Sequence, residues 1–300
     1  TDARDVTTTY EYDALDRLTQ AVAGSGATVS PVSYSYDQGA QGLGRLGTIT
    51  GGGSTLQYDY DTLGRITTQT ETVAAQSLAV RYGYAAGLLD TITYPSGAVV
   101  AYSHDANGRI QEITVGLTRL LTDATHAPFG DLEHFTFLGD RPVQRTQDRN
   151  GRIQQLTLGV TPHLPDAAPR TYGYDALNRL TEALLGPTLA YHYAYDAVGN
   201  RTQETTPDAV ATYTYQPQTH RLAAKTGPSP QTYGYDAAGH QTSRNATQFH
   251  HDPRGRLTGL TGAATASYLV NGRGERVQKT TPAGVTRFLY DPQGRLLGEY

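Results

Sequence analysis

The sequence predicts an all-β chain: repetitive antiparallel β-hairpins laid side by side into a long, curled sheet. Three observations predict it. A short pattern, Tyr-x-Tyr-Asp-x-x-Gly-Arg, recurs from one end of the chain to the other. Glycine is abundant, at 33 of 300 residues, as a chain full of tight turns requires. Gly, Pro, Thr or β-branched residues interrupt every stretch long enough to be a helix.

The clearest copies supply Tyr10, Tyr12, Asp13 and Arg17; Tyr58, Tyr60, Asp61, Gly64 and Arg65; and Tyr172, Tyr174, Asp175 and Arg179. Tyr193, Tyr195, Asp196 and Gly199, with Arg201 following, form a further copy, as do Tyr233, Tyr235, Asp236 and Gly239. Tyr290, Asp291, Gly294 and Arg295 close the series, with Phe288 in place of the first tyrosine. Weaker copies cover residues 34–37, 82–85, 102–109, 148–153, 213–222, 249–257 and 268–277. Tyr-x-Tyr pairs take 16 of the 22 tyrosines, which chance does not produce.

Each part of the unit has a structural reading. Tyr-x-Tyr alternates, so both rings face one side of a strand. Asp followed three residues later by Gly marks a type I turn, with Asp accepting backbone hydrogen bonds and Gly in the left-handed position. Where Gly is replaced, Asp16, Asn178 and His220 stand there, residues tolerant of positive φ. After the turn, Arg-Leu-Thr or Arg-Ile-Thr is expected to resume alternation, with Leu or Ile on one face and Arg and Thr on the other. Asp13, Asp37 and Asp61 recur every 24 residues, and Asp175 and Asp196 are 21 apart. That is the length of a hairpin with its connection, far below a domain. About a dozen hairpins give roughly 24 strands and, at about 4.8 Å each, a sheet on the order of 115 Å wide. Open sheets rarely pass about 10 strands without curling, so this one must coil.

Composition excludes several function classes. With 24 basic and 28 acidic residues there is no basic excess for nucleic acid or an anionic membrane. Without cysteine there are no disulfides, thiolate metal sites or thiol chemistry. No apolar run approaches the roughly 20 residues of a membrane span. The absence of Met, position 1 included, suggests a segment of a longer polypeptide. The aromatic residues, 22 Tyr and 5 Phe with no Trp, suit half-buried sheet faces better than a dry core.

The repeated unit resembles the YD repeat of the Rhs (rearrangement hotspot) proteins, a group related to the shell-forming C components of insecticidal toxin complexes, bacterial wall-associated proteins and animal teneurins. The resemblance runs from about Tyr10 to Tyr300 and rests on some dozen copies. It implies a spiral β-strip surrounding a hollow, and so one YD-repeat array over residues 1–300, a shell segment. Residues 287–300 resemble the start of the family's core region, which lies upstream of a variable C-terminal effector. The implied function is a non-catalytic shell segment that encapsulates the effector and helps deliver it. The implied partner is a C-terminal effector domain of the same polypeptide outside this chain, and the implied location is secreted or on a bacterial cell surface. Two other classes stand beside this: a surface adhesion or carbohydrate-binding scaffold with glycans as partners, and a filament assembled from copies of the chain.

Departures from the repeat are few. Residues 117–143 break the period, as an irregular insertion or a drifted repeat, and residues 162–169 and 228–230 read as surface loops. No catalytic, cofactor or metal residues stand out. His250 and His251 point to opposite strand faces and cannot easily share an ion with Asp252. One Asp per unit does not supply the converging oxygens calcium needs, so the repeated Asp reads as a turn cap. The repeat Arg residues (Arg17, Arg65, Arg109, Arg179 and Arg295) are expected to stack on Tyr rings or pair with acidic neighbours. Asp291-Pro292 resembles the family's self-cleavage signature but, like Asp252-Pro253, sits in the repeat's turn register. Asn200 and Asn245 open glycosylation sequons that fall in or near turns.

Overall fold

The computed structural model describes residues 1–25, 28–128, 130–159 and 168–300. Most of the predicted 162–169 loop lies outside the described residues. Every regular element described is a strand: 28 of them, where the repeat count gives roughly 24. In chain order they are β1 (Thr7–Tyr12), β2 (Leu18–Ser25), β3 (Thr28–Tyr36), β4 (Leu46–Gly51), β5 (Ser54–Tyr60), β6 (Ile66–Val73), β7 (Gln76–Ala85), β8 (Leu88–Thr93), β9 (Val99–His104) and β10 (Ile110–Val115). There follow β11 (Thr118–His126), β12 (Leu132–Phe137), β13 (Arg141–Gln147), β14 (Ile153–Leu158), β15 (Arg170–Tyr174), β16 (Leu180–Leu185), β17 (Thr188–Tyr195), β18 (Arg201–Thr206) and β19 (Ala209–Tyr215). The last are β20 (Leu222–Lys225), β21 (Gln231–Tyr235), β22 (Gln241–Arg244), β23 (Thr247–His251), β24 (Leu257–Gly262), β25 (Ala266–Val270), β26 (Arg276–Thr281), β27 (Gly284–Tyr290) and β28 (Leu296–Glu299).

The chain divides into two compact units. The first comprises Thr1–Gly83, Thr93–Gly97 and Thr232–Tyr300, and the second Tyr84–Ile92 and Ala98–Gln231. Within the first unit each strand pairs antiparallel with its chain neighbour from β1 to β7 and again from β21 to β28. The second unit does the same from β9 to β20. The stretch that interrupts the sequence period holds β11 and β12. Ala127 and Asp131 close their connection with the backbone bonds a repeat corner uses, Ala127 N–H to Asp131 O at 3.0 Å and Gly130 N–H to Ala127 O at 3.0 Å.

Each hairpin end has its own turn. One end is the Asp corner. In four of the described hairpins the other is a two-residue turn with both residues at positive φ: Gly52 and Gly53 (65° and 79°), Ala74 and Ala75 (48° and 64°), Ala86 and Gly87 (50° and 85°), Leu138 and Gly139 (49° and 80°). This mirror-image turn matches the right-handed twist of its strands.

At the corner the register slips by one residue. Glu11 pairs with Gln20 but Tyr12 with Leu18, leaving Thr19 as a bulge, and the same slip leaves out Thr67, Thr181, Thr202, Thr242 and Thr258. The simple alternation expected through Arg-Leu-Thr is therefore interrupted at that threonine. A bulge tightens local twist, so one is built into each corner.

The two units differ in burial. In the first, Val32, Ile49, Leu56 and Tyr58 form a core cluster with Tyr34, Leu46, Tyr60 and Ile66 packed on it. Full burial of a side chain the size of Val32 or Leu56 contributes about 1.5–3 kcal/mol. The corner after β25 seats on this cluster through Gly272, where an added Cβ would lie 2.4 Å from Ile49 Cγ2 and 2.9 Å from Val32 Cγ1. In the second unit Ile92, Ala211 and Tyr213 are the buried apolar residues among those described. Its cross-strand pairs Ile113–Leu121, Leu121–Phe137, Phe135–Val143 and Val143–Leu158 instead line one face of the sheet around an apolar concavity of about 670 Å³.

The tyrosine–aspartate–arginine ladder as candidate functional site

The corner is built on one aspartate. Asp175 Oδ1 accepts the backbone N–H of Leu177 and of Arg179, both at 2.9 Å, and Oδ2 takes Arg179 Nε at 2.6 Å. Backbone bonds from Asp175 N–H to Arg179 O and from Asn178 N–H to Asp175 O close the turn, with Asn178 at φ 63°. Asp13, Asp61, Asp105, Asp148 and Asp291 make the same set of contacts with Arg17, Arg65, Arg109, Arg152 and Arg295. The left-handed residue is Asp16 at 58°, Gly64 at 81°, Gly199 at 93°, Gly239 at 92° and Gly294 at 81°. The backbone N–H of the arginine above all, with its guanidinium and the N–H two residues on from the aspartate, holds the carboxyls of Asp13, Asp61 and Asp175 below the ordinary range, against an upward push from desolvation.

The second tyrosine joins one repeat to the one before. Tyr195 lies under the Arg179 guanidinium, 4.7 Å from the ring centroid, and donates its hydroxyl to the carbonyl of Leu180 at 2.7 Å. Leu180 is the residue after that arginine. The arrangement recurs for Tyr36 with Arg17 and Leu18, Tyr60 with Arg45 and Leu46, and Tyr174 with Arg152 and Ile153. Tyr215 and Tyr290 make the same hydroxyl bond to Arg201 and Arg276. Arginines also reach forward: Arg179 to the carbonyl of Asp196 at 2.9 Å, Arg17 to the carboxylate of Asp37 at 2.8 Å. Arg17, Arg152 and Arg179 therefore each serve their own corner, the next corner and the next ring.

Several copies depart from this scheme. Asn200, not Arg201, takes the arginine place, with Nδ2 2.8 Å from Asp196 Oδ2, while the Arg201 guanidinium lies against the Tyr193 and Tyr213 rings at 5.4 and 4.5 Å. The expectation that His220 fills the left-handed position is corrected: Gln218 does, at φ 58°. Gln216 N–H closes on Arg221 O, so this corner holds one residue more than an Asp-to-Arg corner and its strained position moves forward. At Asp236, His240 stands for the arginine, Nδ1 3.0 Å from Oδ2. Tyr233 and Tyr235 flank that corner on β21, Tyr172 lies on β15 opposite Ala183, and Tyr10 and Tyr12 are exposed on β1. His250 Nε2 is 2.9 Å from Thr261 Oγ1, while His251 packs against His240 at 5.4 Å between rings. Among the described residues no three His, Cys, Asp or Glu side chains are grouped to hold a metal ion, and no helix is long and apolar enough to cross a membrane.

The family model of the teneurin YD-shell matches residues 1–119 and 141–297. The chain belongs to the teneurin YD-shell family. No curated protein sequence matches it. Among solved structures, a Tc holotoxin pore from Photorhabdus luminescens resembles this YD-shell chain with a TM-score of 0.72 at 15% identity, over 96% of this chain and 19% of the other. TcdB2–TccC3 without its hypervariable C-terminal region gives 0.74 at 14% identity, over 97% and 19%. TcdB2–TccC3–Cdc42 gives 0.73 at 13% identity, over 96% and 19%. At such identities the likeness is one of fold, and the YD-shell chain spans about a fifth of the length of the chains it matches.

Proposed function

We propose that this chain is a non-catalytic wall segment of a bacterial YD-repeat shell, exported from the cell, that encloses a C-terminal effector of its own longer polypeptide and helps deliver it. The observation that carries the reading is the YD-shell fold itself, shared over nearly the whole chain with chains of toxin complexes. The corner ladder supports it chemically. The repeat's polar groups serve to join hairpins: aspartate its own turn, Arg17, Arg152 and Arg179 two turns and a ring, and the second tyrosine's hydroxyl the preceding backbone. Such a wall extends by adding copies and needs no active site. The apolar concavity on the second unit's sheet suits a wall facing a protein segment held without a specific pocket.

Limited proteolysis of the full-length protein tests the reading. The segment downstream of the YD repeats is expected to resist trypsin while the wall is intact and to be digested rapidly once urea opens the wall. Cleavage of that segment from the intact protein at the rate of the isolated segment would overturn containment. Glycan-array binding lost on Tyr→Ala changes in one sheet face would replace it with the adhesion reading.

A further inference from the structure

Within the first unit, two corners near the C-terminus carry residues foreign to the repeat. At the corner between β25 and β26, Asn271 stands in the aspartate place and Glu275 in the arginine place. The third residue is Arg254 in one corner and Arg273 in the other, where Leu15, Leu63 and Leu177 stand elsewhere. All four reach across to other parts of the unit or sit against residues that do. Arg254 donates to the carbonyls of Ala21 and Ser30 at 2.6 and 3.2 Å. Arg273 donates to Tyr58 Oη at 3.0 Å and to the carbonyl of Pro292 at 2.8 Å.

Asn271 keeps the corner's backbone role, its Oδ1 accepting Arg273 N–H and Glu275 N–H at 3.0 and 2.9 Å. Its Nδ2 donates to Glu275 Oε2 at 2.9 Å and to Glu71 Oε2 of β6 at 3.1 Å. Asn271 is fully buried and Glu71 is 4% exposed. In the sheet Glu71 lies between its pair partners Leu56 of β5 and Leu78 of β7. Its Oε1 is buried with no hydrogen-bond partner among the described residues. The charged groups facing it are Glu275, which is like-charged, and Arg273, which already holds Glu275 Oε1 at 3.3 Å. Ser54 of β5 is the remaining polar neighbour. Two ionised carboxylates here would share one guanidinium, and one oxygen would be a buried, unpaired anion, which costs several kcal/mol in practice unless the group takes up a proton.

We propose that Glu71 is carried as a neutral acid in this contact, and that the contact between β6 and the Asn271 corner is a pH-dependent latch, tight in acid and progressively loosened up to neutral pH. Burial pushes the Glu71 carboxyl up to about 7, with Glu275 adding to the effect and the Asn271 hydrogen bond, the nearby Ser54 hydroxyl and Arg273 opposing it. The closed contact therefore binds a proton that the opened one releases. Its stability is fully present below the ordinary carboxylate value of 4.5 and is lost as pH rises to about 7, by roughly tenfold in the closing equilibrium per pH unit. The asparagine in place of aspartate is what the latch requires, since a third carboxylate would stand against Glu71.

Native-state hydrogen exchange on the whole chain reads the latch at the amides of Asn271 and Gly274, which close the corner on Glu275 O and Asn271 O. E71Q keeps the shape and removes the titration. Comparing wild type with E71Q at each pH cancels the intrinsic exchange rate. The ratio of their protection is expected to fall about tenfold per pH unit between pH 5 and 7 and to level off above. A ratio constant across that range overturns the proposal. If E71Q does not fold, carbon-13 NMR of the wild-type carboxyl decides: a midpoint near 7 sustains the latch, and one near 4.5 ends it. N271D is expected to lower protection more at pH 8 than at pH 5, and equal loss at both would also refute it.

Discussion

Tyr195→Phe removes one oxygen and leaves the ring under Arg179. What is lost is the 2.7 Å hydrogen bond to the carbonyl of Leu180, the link from the β17 strand end to the preceding corner. A net intramolecular hydrogen bond contributes about 1 kcal/mol. The stacking on Arg179 at 4.7 Å is retained by phenylalanine, so it does not enter the difference. In a repeat array most contacts of a unit are with its chain neighbours, so unfolding is mainly local and a single melting temperature blurs the effect. Hydrogen exchange resolves it. The amides of Asp196 and Gly199, which close the adjoining corner, are expected to lose roughly fivefold in protection. The control is Tyr10→Phe, whose residue is 56% exposed at the start of the array and makes no such link; no loss is expected there. Equal, small effects in both variants would refute the claim that the second tyrosine hydroxyl joins successive repeats.

Two further substitutions probe the turns and the seat of the C-terminal corner. Ala74 and Ala75 occupy a turn that demands positive φ of both, so Ala74→Asn with Ala75→Gly is expected to stabilise the hairpin of β6 and β7 by about 1 kcal/mol per position, read as a higher urea midpoint with unchanged slope. Gly272→Ala drives a methyl to within 2.4 Å of Ile49 Cγ2 and is expected to cost about 1–3 kcal/mol, with Ile49→Ala in the same chain recovering part of the loss.

The corner was legible because its demands are local. An aspartate that satisfies backbone N–H groups two and four residues on, and a residue forced to positive φ, leave their mark within five positions of sequence; Asp16 and Asn178 in glycine's place are enough to find it. The arginine's ion pair with its own aspartate belongs to the same short span. The bulge at Thr19, Thr67 or Thr181 was not legible, because it exists only in the pairing of two strands and leaves no residue type that alternation alone would reject. Nor was the bond from Tyr195 to Leu180, which depends on which hairpin lies next to which. His220 misled for a related reason: its residue type permits a left-handed conformation, but the corner there is one residue longer, and length, not preference, decided the position.

In a repeat array, contacts between neighbouring units are the same everywhere and can be served by the same residues in every copy. A contact between distant copies occurs at a few places and cannot be coded by the consensus. It follows that residues which break the pattern without breaking the backbone should mark the long-range contacts. The C-terminal corners obey this. Gly272, Arg254, Arg273, Asn271 and Glu275 preserve the turn geometry, since the bonds from Asn271 N–H to Glu275 O and from Gly274 N–H to Asn271 O are those of any other corner. Yet they exchange leucine for arginine, arginine for glutamate and carboxylate for amide at the side chains that meet Val32, Ile49, Tyr58, Ala21 and Glu71. Gln69, buried on β6, likewise donates to the carbonyl of Tyr290 at 2.8 Å. A polar glutamine and glutamate on alternate positions of a buried strand face make no sense for a hairpin taken alone. They do once the two stretches of the unit, 200 and 221 residues apart in sequence at these bonds, are placed in contact.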